Sequence, residues 1–164
     1  MRIAYADPPY VGQGSRYHCP EVDHAALIAR LLAEFTDGWA LSCSSSSLRI
    51  LLPMAPKARV GAWVKTFAIF KPGITPAYAW EPVLFMGGRK KSRKEWTGRD
   101  WCAAGIVMKG FTGAKPREFC WWVFDDLLGM RPGDELVDLF PGTGAVGRAW
   151  TAYKAKEEPW VNCS

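Results

Sequence analysis

The 164-residue chain is 49% hydrophobic and 23% charged, a globular balance that excludes a disordered or fibrous protein. Its length suits one compact domain, 1–164, and no apolar run approaches the roughly 20 residues that span a bilayer. The excess of 21 Lys and Arg over 16 Asp and Glu leaves a net +5, which leans toward polyanionic partners. Cys19, Cys43, Cys102, Cys120 and Cys163 are odd in number and form no Cys-x-x-Cys pair, so a reducing, cytoplasmic setting is expected. His18, Cys19 and His24 lack a second ligand pair at zinc spacing, and no metal is expected.

In chain order, Met1 to Ala6 reads as a buried strand stopped by Asp7-Pro8-Pro9-Tyr10. The apolar spacing from Ala26 to Phe35 predicts a helix with one core face. Trp39 to Cys43 reads as a second buried strand, and Ser44 to Ser47 as a cap before a short helix through Leu52. Val60–Lys65 and Glu81–Met86 are β-rich, and Pro82 suggests strands late in the sheet, near an edge. From Arg89 to Arg99 six of eleven residues are basic, which predicts an exposed loop or insertion over about 87–113. Pro116 opens a helix through Leu128 closed by Gly129. Glu135 to Phe140 is a buried strand, Pro141-Gly142-Thr143-Gly144 a loop, and Ala145 to about Lys154 a helix. Alternating strands and helices predict an α/β fold, a mostly parallel sheet covered on both faces, with ligands at the carboxyl ends of its strands.

Two loops at such ends carry chemistry. In Asp138-Leu139-Phe140-Pro141-Gly142-Thr143-Gly144, glycines admit a ligand to the backbone and the helix start attracts a carboxylate or phosphate. Through Gly147 the spacing is formally that of a dinucleotide fingerprint, but no second half of that fold follows. A tight connection without ligand is the bland alternative. Asp7-Pro8-Pro9-Tyr10 offers a carboxylate and a stiffened carbonyl that would accept both N–H bonds of an exocyclic amino group, together with a ring for stacking. A proline-rich turn with an exposed Asp fits the same residues.

Together the two loops resemble the amino-methyltransferases that use S-adenosylmethionine (SAM). Asp7-Pro8-Pro9-Tyr10 is similar to their Asp/Asn/Ser-Pro-Pro-aromatic motif and Asp138 to Gly144 to their Asp-x-Phe-x-Gly-x-Gly loop. The catalytic motif comes first, the permuted order of the β class of DNA amino-methyltransferases and of the related MT-A70 family. Lys115-Pro116 resembles the Lys-Pro pair beside the cofactor's methionine end, and Trp63-Val64-Lys65 with Glu81 to Leu84 the Trp-x-Lys and Glu-x-x-Leu pattern of MT-A70 proteins. The resemblance implies a Rossmann-like class I methyltransferase fold. It implies Asp7, Pro8, Pro9 and Tyr10 as catalytic residues, and Asp138, Phe140, Pro141, Gly142, Thr143, Gly144 and Lys115 as cofactor ligands. The implied reaction is direct methyl transfer to adenine N6 in DNA, on a flipped or single-stranded base, in a bacterial or phage enzyme. An RNA adenosine methyltransferase and a non-catalytic nucleic-acid-binding subunit are the alternatives.

The chain departs from the family where an acidic residue should hold the cofactor's ribose: Lys156 to Ser164 supplies Glu157, Glu158 and Asn162 but no acid at a strand end. Asn162 as a neutral hydrogen-bond partner, or a second copy or partner subunit completing the pocket, are the two alternatives for that role. For nucleic acid, Arg89, Lys90, Lys91, Arg93, Lys94 and Arg99 are the expected phosphate contacts, with Trp96 stacking on a base; Trp101 is a second loop candidate. Trp63, Trp80, Trp121, Trp122 and Trp150 are expected in the core.

Overall fold

The computed structural model describes residues 1–14, 20–67, 70, 72–90, 98–106 and 114–155. Six strands form one sheet: β1 (Arg2–Ala6), β2 (Gly38–Ser42), β3 (Arg59–Lys65), β4 (Trp80–Gly87), β5 (Trp101–Ala104) and β6 (Glu135–Asp138). Their order is β5-β3-β4-β2-β1-β6. β1 pairs in parallel with β2 and β6, and β3 with β5, whereas β4 runs antiparallel to both β2 and β3. Five strands therefore point one way and β4 the other, a mixed sheet rather than a wholly parallel one.

Alternation along the strands sends side chains to two faces, each covered by helices. Ile3 and Tyr5 pack with Ala40, Trp63, Val83 and Phe85 beneath α3 (Arg117–Trp122) and α4 (Ala145–Lys154). Ala4 and Ala6 pack with Trp39, Leu41 and Leu84 beneath α1 (His24–Glu34) and α2 (Leu48–Leu51). α1 begins where Asp23 caps the amide of Ala26 and buries Leu27, Ile28 and Leu31 at helical spacing. A single turn over Ser45–Ser47, capped by Ser44, leads into α2. α3 widens into a π-helical turn over Val123–Leu127 and ends at Gly129, whose φ of 57° is the left-handed cap of a helix end.

Three sequence expectations change. β3 lies beside the edge strand β5, near an edge as expected, but β4, which carries Pro82, lies further inside the sheet. Proline is tolerated because β2 pairs with β4 only from Ser42 opposite Val83 onward. Past that point the Pro82 carbonyl accepts the amide of Cys43, on the side where its own missing N–H would have faced. Within the expected insertion at 87–113, Trp101–Ala104 is a strand, paired with Ala62 to Lys65. Of the expected core tryptophans, Trp63, Trp122 and Trp150 are buried, Trp121 packs against the core from its margin, and Trp80 is 39% exposed.

Candidate functional site

The carboxyl ends of β1 and β6 lie side by side, with Tyr5 opposite Asp138. Asp7 follows β1 directly, and Pro8 is buried behind it. From the other side β4 enters the same edge by its amino end, and the pairing of Trp63 with Glu81 carries that carboxylate to the mouth of the sheet. Lys115, at the foot of α3, points into the space between.

These groups form one network. The Lys115 ammonium is 3.0 Å from Asp7 Oδ1 and 3.4 Å from Glu81 Oε2. Glu81 also takes the Lys65 ammonium at 2.5 Å and the Tyr10 hydroxyl at 2.8 Å. Lys115 lies 5.4 Å from the Trp63 ring and 5.7 Å from the Phe119 ring, so aromatic faces complete its surroundings. Below, the buried Tyr5 hydroxyl meets Ser42 Oγ at 2.8 Å.

Burial dominates the electrostatics. It lifts the Asp7 carboxyl above the usual range, opposed by Lys115 and reinforced by Glu81. Glu81 goes the other way, because Lys115 and Lys65 outweigh its own burial. Lys115 stays firmly protonated: burial would lower it, but Asp7, the two tyrosines and Glu81 raise it well above the usual lysine value. Asp138 is raised by burial and by the charge of Asp7. Burial pushes the thiols of Cys43, Cys102 and Cys120 up to about 12, leaving them inert as nucleophiles at neutral pH.

The glycine loop is built as a cradle. Gly142 (φ 44°) and Gly144 (φ 73°) adopt left-handed backbone, and Gly144 caps α4 without a side-chain hydrogen bond to the first-turn amides, while the Arg148 guanidinium donates to the Thr143 carbonyl at 2.8 Å beside it. One Asp138 oxygen accepts the amide of Phe140 at 3.2 Å; the other is buried without a hydrogen-bond partner. Phe140 and Thr143 are half-buried, and Pro141 and Gly142 are exposed on the rim. An orphaned carboxylate oxygen beside a glycine turn and an open helix start suits a ligand carrying both an ammonium and a carboxylate.

The structure thus brings Asp7, Tyr10, Lys115 and Asp138 to one edge. Lys115 joins the Asp7 loop to β4, through its ion pairs with Asp7 and Glu81. Glu81 and Lys65, noted in the sequence only as part of the Trp-x-Lys and Glu-x-x-Leu pattern and given no site role there, join this cluster as a carboxylate and a lysine facing each other across adjacent strands. The basic candidates lie elsewhere. Arg89 and Lys90 follow the far end of β4, where Arg89 pairs with Asp134 at 3.1 Å. Arg99 precedes β5 at that same amino edge, its guanidinium 5.4 Å from the Trp101 ring. Lys91, Arg93, Lys94 and Trp96 lie outside the described residues, as do His18, Cys19 and the segment 156–164. Among the described residues, no three His, Cys, Asp or Glu side chains gather as a metal site, and no helix is long and apolar enough to cross a membrane.

Solved structures match this architecture over nearly all of its length. The M1.HpyAVI–SAM complex aligns with a TM-score of 0.66, covering 94% of this chain and 78% of that one at 18% identity. A second M1.HpyAVI structure aligns with a TM-score of 0.64, over 94% and 76%, at 14% identity. The chain has the Rossmann-like methyltransferase fold. No protein-family model and no curated protein matches the sequence.

Proposed function

We propose that this chain transfers a methyl group from SAM to the N6 amino group of adenine in DNA, as a permuted amino-methyltransferase of the β class. The observation that carries the reading is the convergence of Asp7 and Tyr10 with Asp138 at the ends of adjacent parallel strands. On this reading the Asp7 loop takes the base and the Asp138 loop takes the cofactor. The structural likeness to M1.HpyAVI in complex with SAM supports the cofactor.

The residues present fit SAM. Asp138, with its buried free oxygen, would accept the ammonium of the methionine part, and the first-turn amides of α4 would receive the carboxylate. Phe140, Pro141, Gly142 and Thr143 would line its path. When bound, the cofactor supplies a methyl group on a positively charged sulfur. The chain's own work is at the amino nitrogen, whose lone pair is delocalised into the base. Asp7 and the Pro8 carbonyl accept its two N–H bonds and favour a pyramidal, nucleophilic nitrogen. Pro9 stiffens the loop, and Tyr10 offers its ring to the base. Asp7 receives the proton released as the new N–C bond forms.

Transfer of tritiated methyl from SAM into DNA tests the reading, with matched RNA alongside. DNA is labelled at N6 of adenine, and Asp7→Ala loses at least about 100-fold in rate, in keeping with one positioned acceptor at a reacting group. Full activity of Asp7→Ala refutes the chemistry; preferential labelling of RNA reassigns the substrate.

A further inference from the structure

β3 and β4 are antiparallel, so the start of one strand lies beside the end of the other, with Arg59 opposite Phe85. That pairing gathers cations from separate stretches of sequence at one corner of the amino edge. Lys57 precedes β3, and the Arg59 guanidinium lies 5.1 Å from the Phe85 ring. β4 runs out through Gly87 and Gly88, whose φ values of 76° and 83° turn the chain. The amide of Arg89 then donates to the Leu128 carbonyl at 2.9 Å. With Lys90 and Asp126, these side chains line a cleft of about 480 Å³, a volume suited to a small molecule.

The cleft is strongly unbalanced in charge. Among the described residues that line it, Lys57, Arg59, Arg89 and Lys90 stand against one carboxylate, Asp126. Lys57, Arg59 and Lys90 form no ion pair with any described residue. Arg89 is held in place: its Nη2 donates to the two Asp134 oxygens at 3.1 and 3.3 Å. Its Nη1 is buried and has no hydrogen-bond partner among the described residues. A surplus of positive charge in a concave site concentrates anions, and guanidinium groups match the oxygens of phosphate. The rest of the edge limits how long that anion can be. Asp37 before β2 and Glu135 at the start of β6 are exposed carboxylates on one side, and Asp100 stands before β5 on the other. Among the described residues the positive charge therefore forms a pocket and not a track for a strand.

We propose that this cleft binds a compact anion carrying several phosphates, at a site separate from Asp7 and Asp138. The inference does not depend on the methyltransferase reading.

Isothermal titration with inorganic tripolyphosphate at about 150 mM salt tests it, comparing the protein with the double variant Lys57→Gln, Lys90→Gln. Both side chains are exposed, so the substitutions leave the core intact. The protein binds at ligand concentrations up to about 1 mM, and the variant binds at least about tenfold more weakly, as expected for two charge-assisted contacts. The anion also raises the Tm of the protein more than that of the variant. A control variant, Arg30→Gln, Arg49→Gln, removes the same net charge from the α1 and α2 side and binds like the parent. Absence of binding by the parent overturns the proposal. So does an equal loss in the control, which makes the effect one of net charge alone. A single strand of 12 nucleotides that loses affinity in the Lys57→Gln, Lys90→Gln protein while tripolyphosphate does not also overturns it, and assigns the cleft to a nucleic-acid backbone. Guanosine triphosphate distinguishes the sources of the anion: tighter binding than tripolyphosphate, with the same loss in the variant, assigns the phosphate arm of a nucleotide, and equal binding assigns the free anion. Titration with SAM is a separate arm, whose failure refutes the methyltransferase reading and leaves the cleft standing.

Discussion

Lys115 is the only cation within ion-pair reach of both Asp7 and Glu81 among the described residues. Its side chain is 5% exposed, so water does little to screen the arrangement. Replacing it by Met leaves the half-buried Asp7 without its cation and facing Glu81, which keeps Lys65, at a cost of about 3 kcal/mol. For a domain of this size that lowers Tm by roughly 10 °C. Protonation of Asp7 relieves the repulsion, so the deficit narrows as pH falls, and melting curves at pH 5 and pH 8 check the direction. Glu81 admits a milder experiment. Its charge helps to raise the Asp7 carboxyl, and in the proposed transfer Asp7 must be ionised to take the proton released from the amino group. Activity is therefore lost on the acid side at a pH above that of an ordinary aspartate. Glu81→Gln keeps an oxygen for the Tyr10 hydroxyl but removes the charge, so Asp7 ionises at lower pH and the acid limb of kcat shifts down. An acid limb that stays fixed, or moves up, would show that Asp7 is not the titrating group.

At the scale of elements, two glycines on opposite sides of the molecule have opposite mutational signs. Gly88 leaves β4 at φ 83°, and a Cβ there would come within 2.7 Å of the Leu128 carbonyl oxygen. Strain and clash with rigid backbone together cost Gly88→Ala about 2–4 kcal/mol. Gly147 lies within α4, with nothing within 4 Å of an added Cβ, so Gly147→Ala gains about 0.5–1 kcal/mol from helix propensity. Urea midpoints measure both. If SAM binding in the Gly147→Ala protein is unchanged, the third glycine of the Gly-x-Gly-x-x-Gly spacing has no part in ligand approach. Elements with strong periodicity or punctuation were legible in the sequence: β1 before its prolines, α1 after Asp23, and α4, whose ends at Ala145 and Lys154 match the expectation. β5 was not, because four residues beside a basic stretch carry no alternation. The direction of β4 has no local signature either, since the same residues pair in either sense. Glu81 was visible as the first residue of a Glu-x-x-Leu pattern, but its place beside Tyr10 and Lys115 depends on its register with Trp63, which that spacing does not encode. Asp7 and Asp138 were legible because glycine and proline mark their loops.

Among the described residues, a cationic cleft lies at the sheet edge opposite the candidate site. Asp7, Glu81 and Asp138 lie at the carboxyl edge, while a cleft of about 480 Å³ at the amino edge is lined by Lys57, Arg59, Arg89 and Lys90, with Asp126. Along β4 the two edges are six residues apart, Glu81 to Gly87, or roughly 20 Å at about 3.3 Å per residue. At 0.1 M salt the Debye length is about 10 Å, so charges at one edge act only weakly on a ligand at the other; at 0.01 M it is about 30 Å and they act fully. Reversing Lys57 and Lys90 to Glu takes the net charge from +5 to +1, since each reversal removes two. If nucleic acid reaches the protein at the carboxyl edge, a single strand of 12 nucleotides binds this variant within about twofold of the parent at 150 mM salt. The same strand binds it several-fold more weakly at 10 mM, where the lost steering field is unscreened. Anisotropy titrations at the two salt concentrations measure the difference. A tenfold loss at 150 mM, with the salt slope flattened by about two, would place two phosphate contacts on the amino edge and return the basic segment to the binding surface.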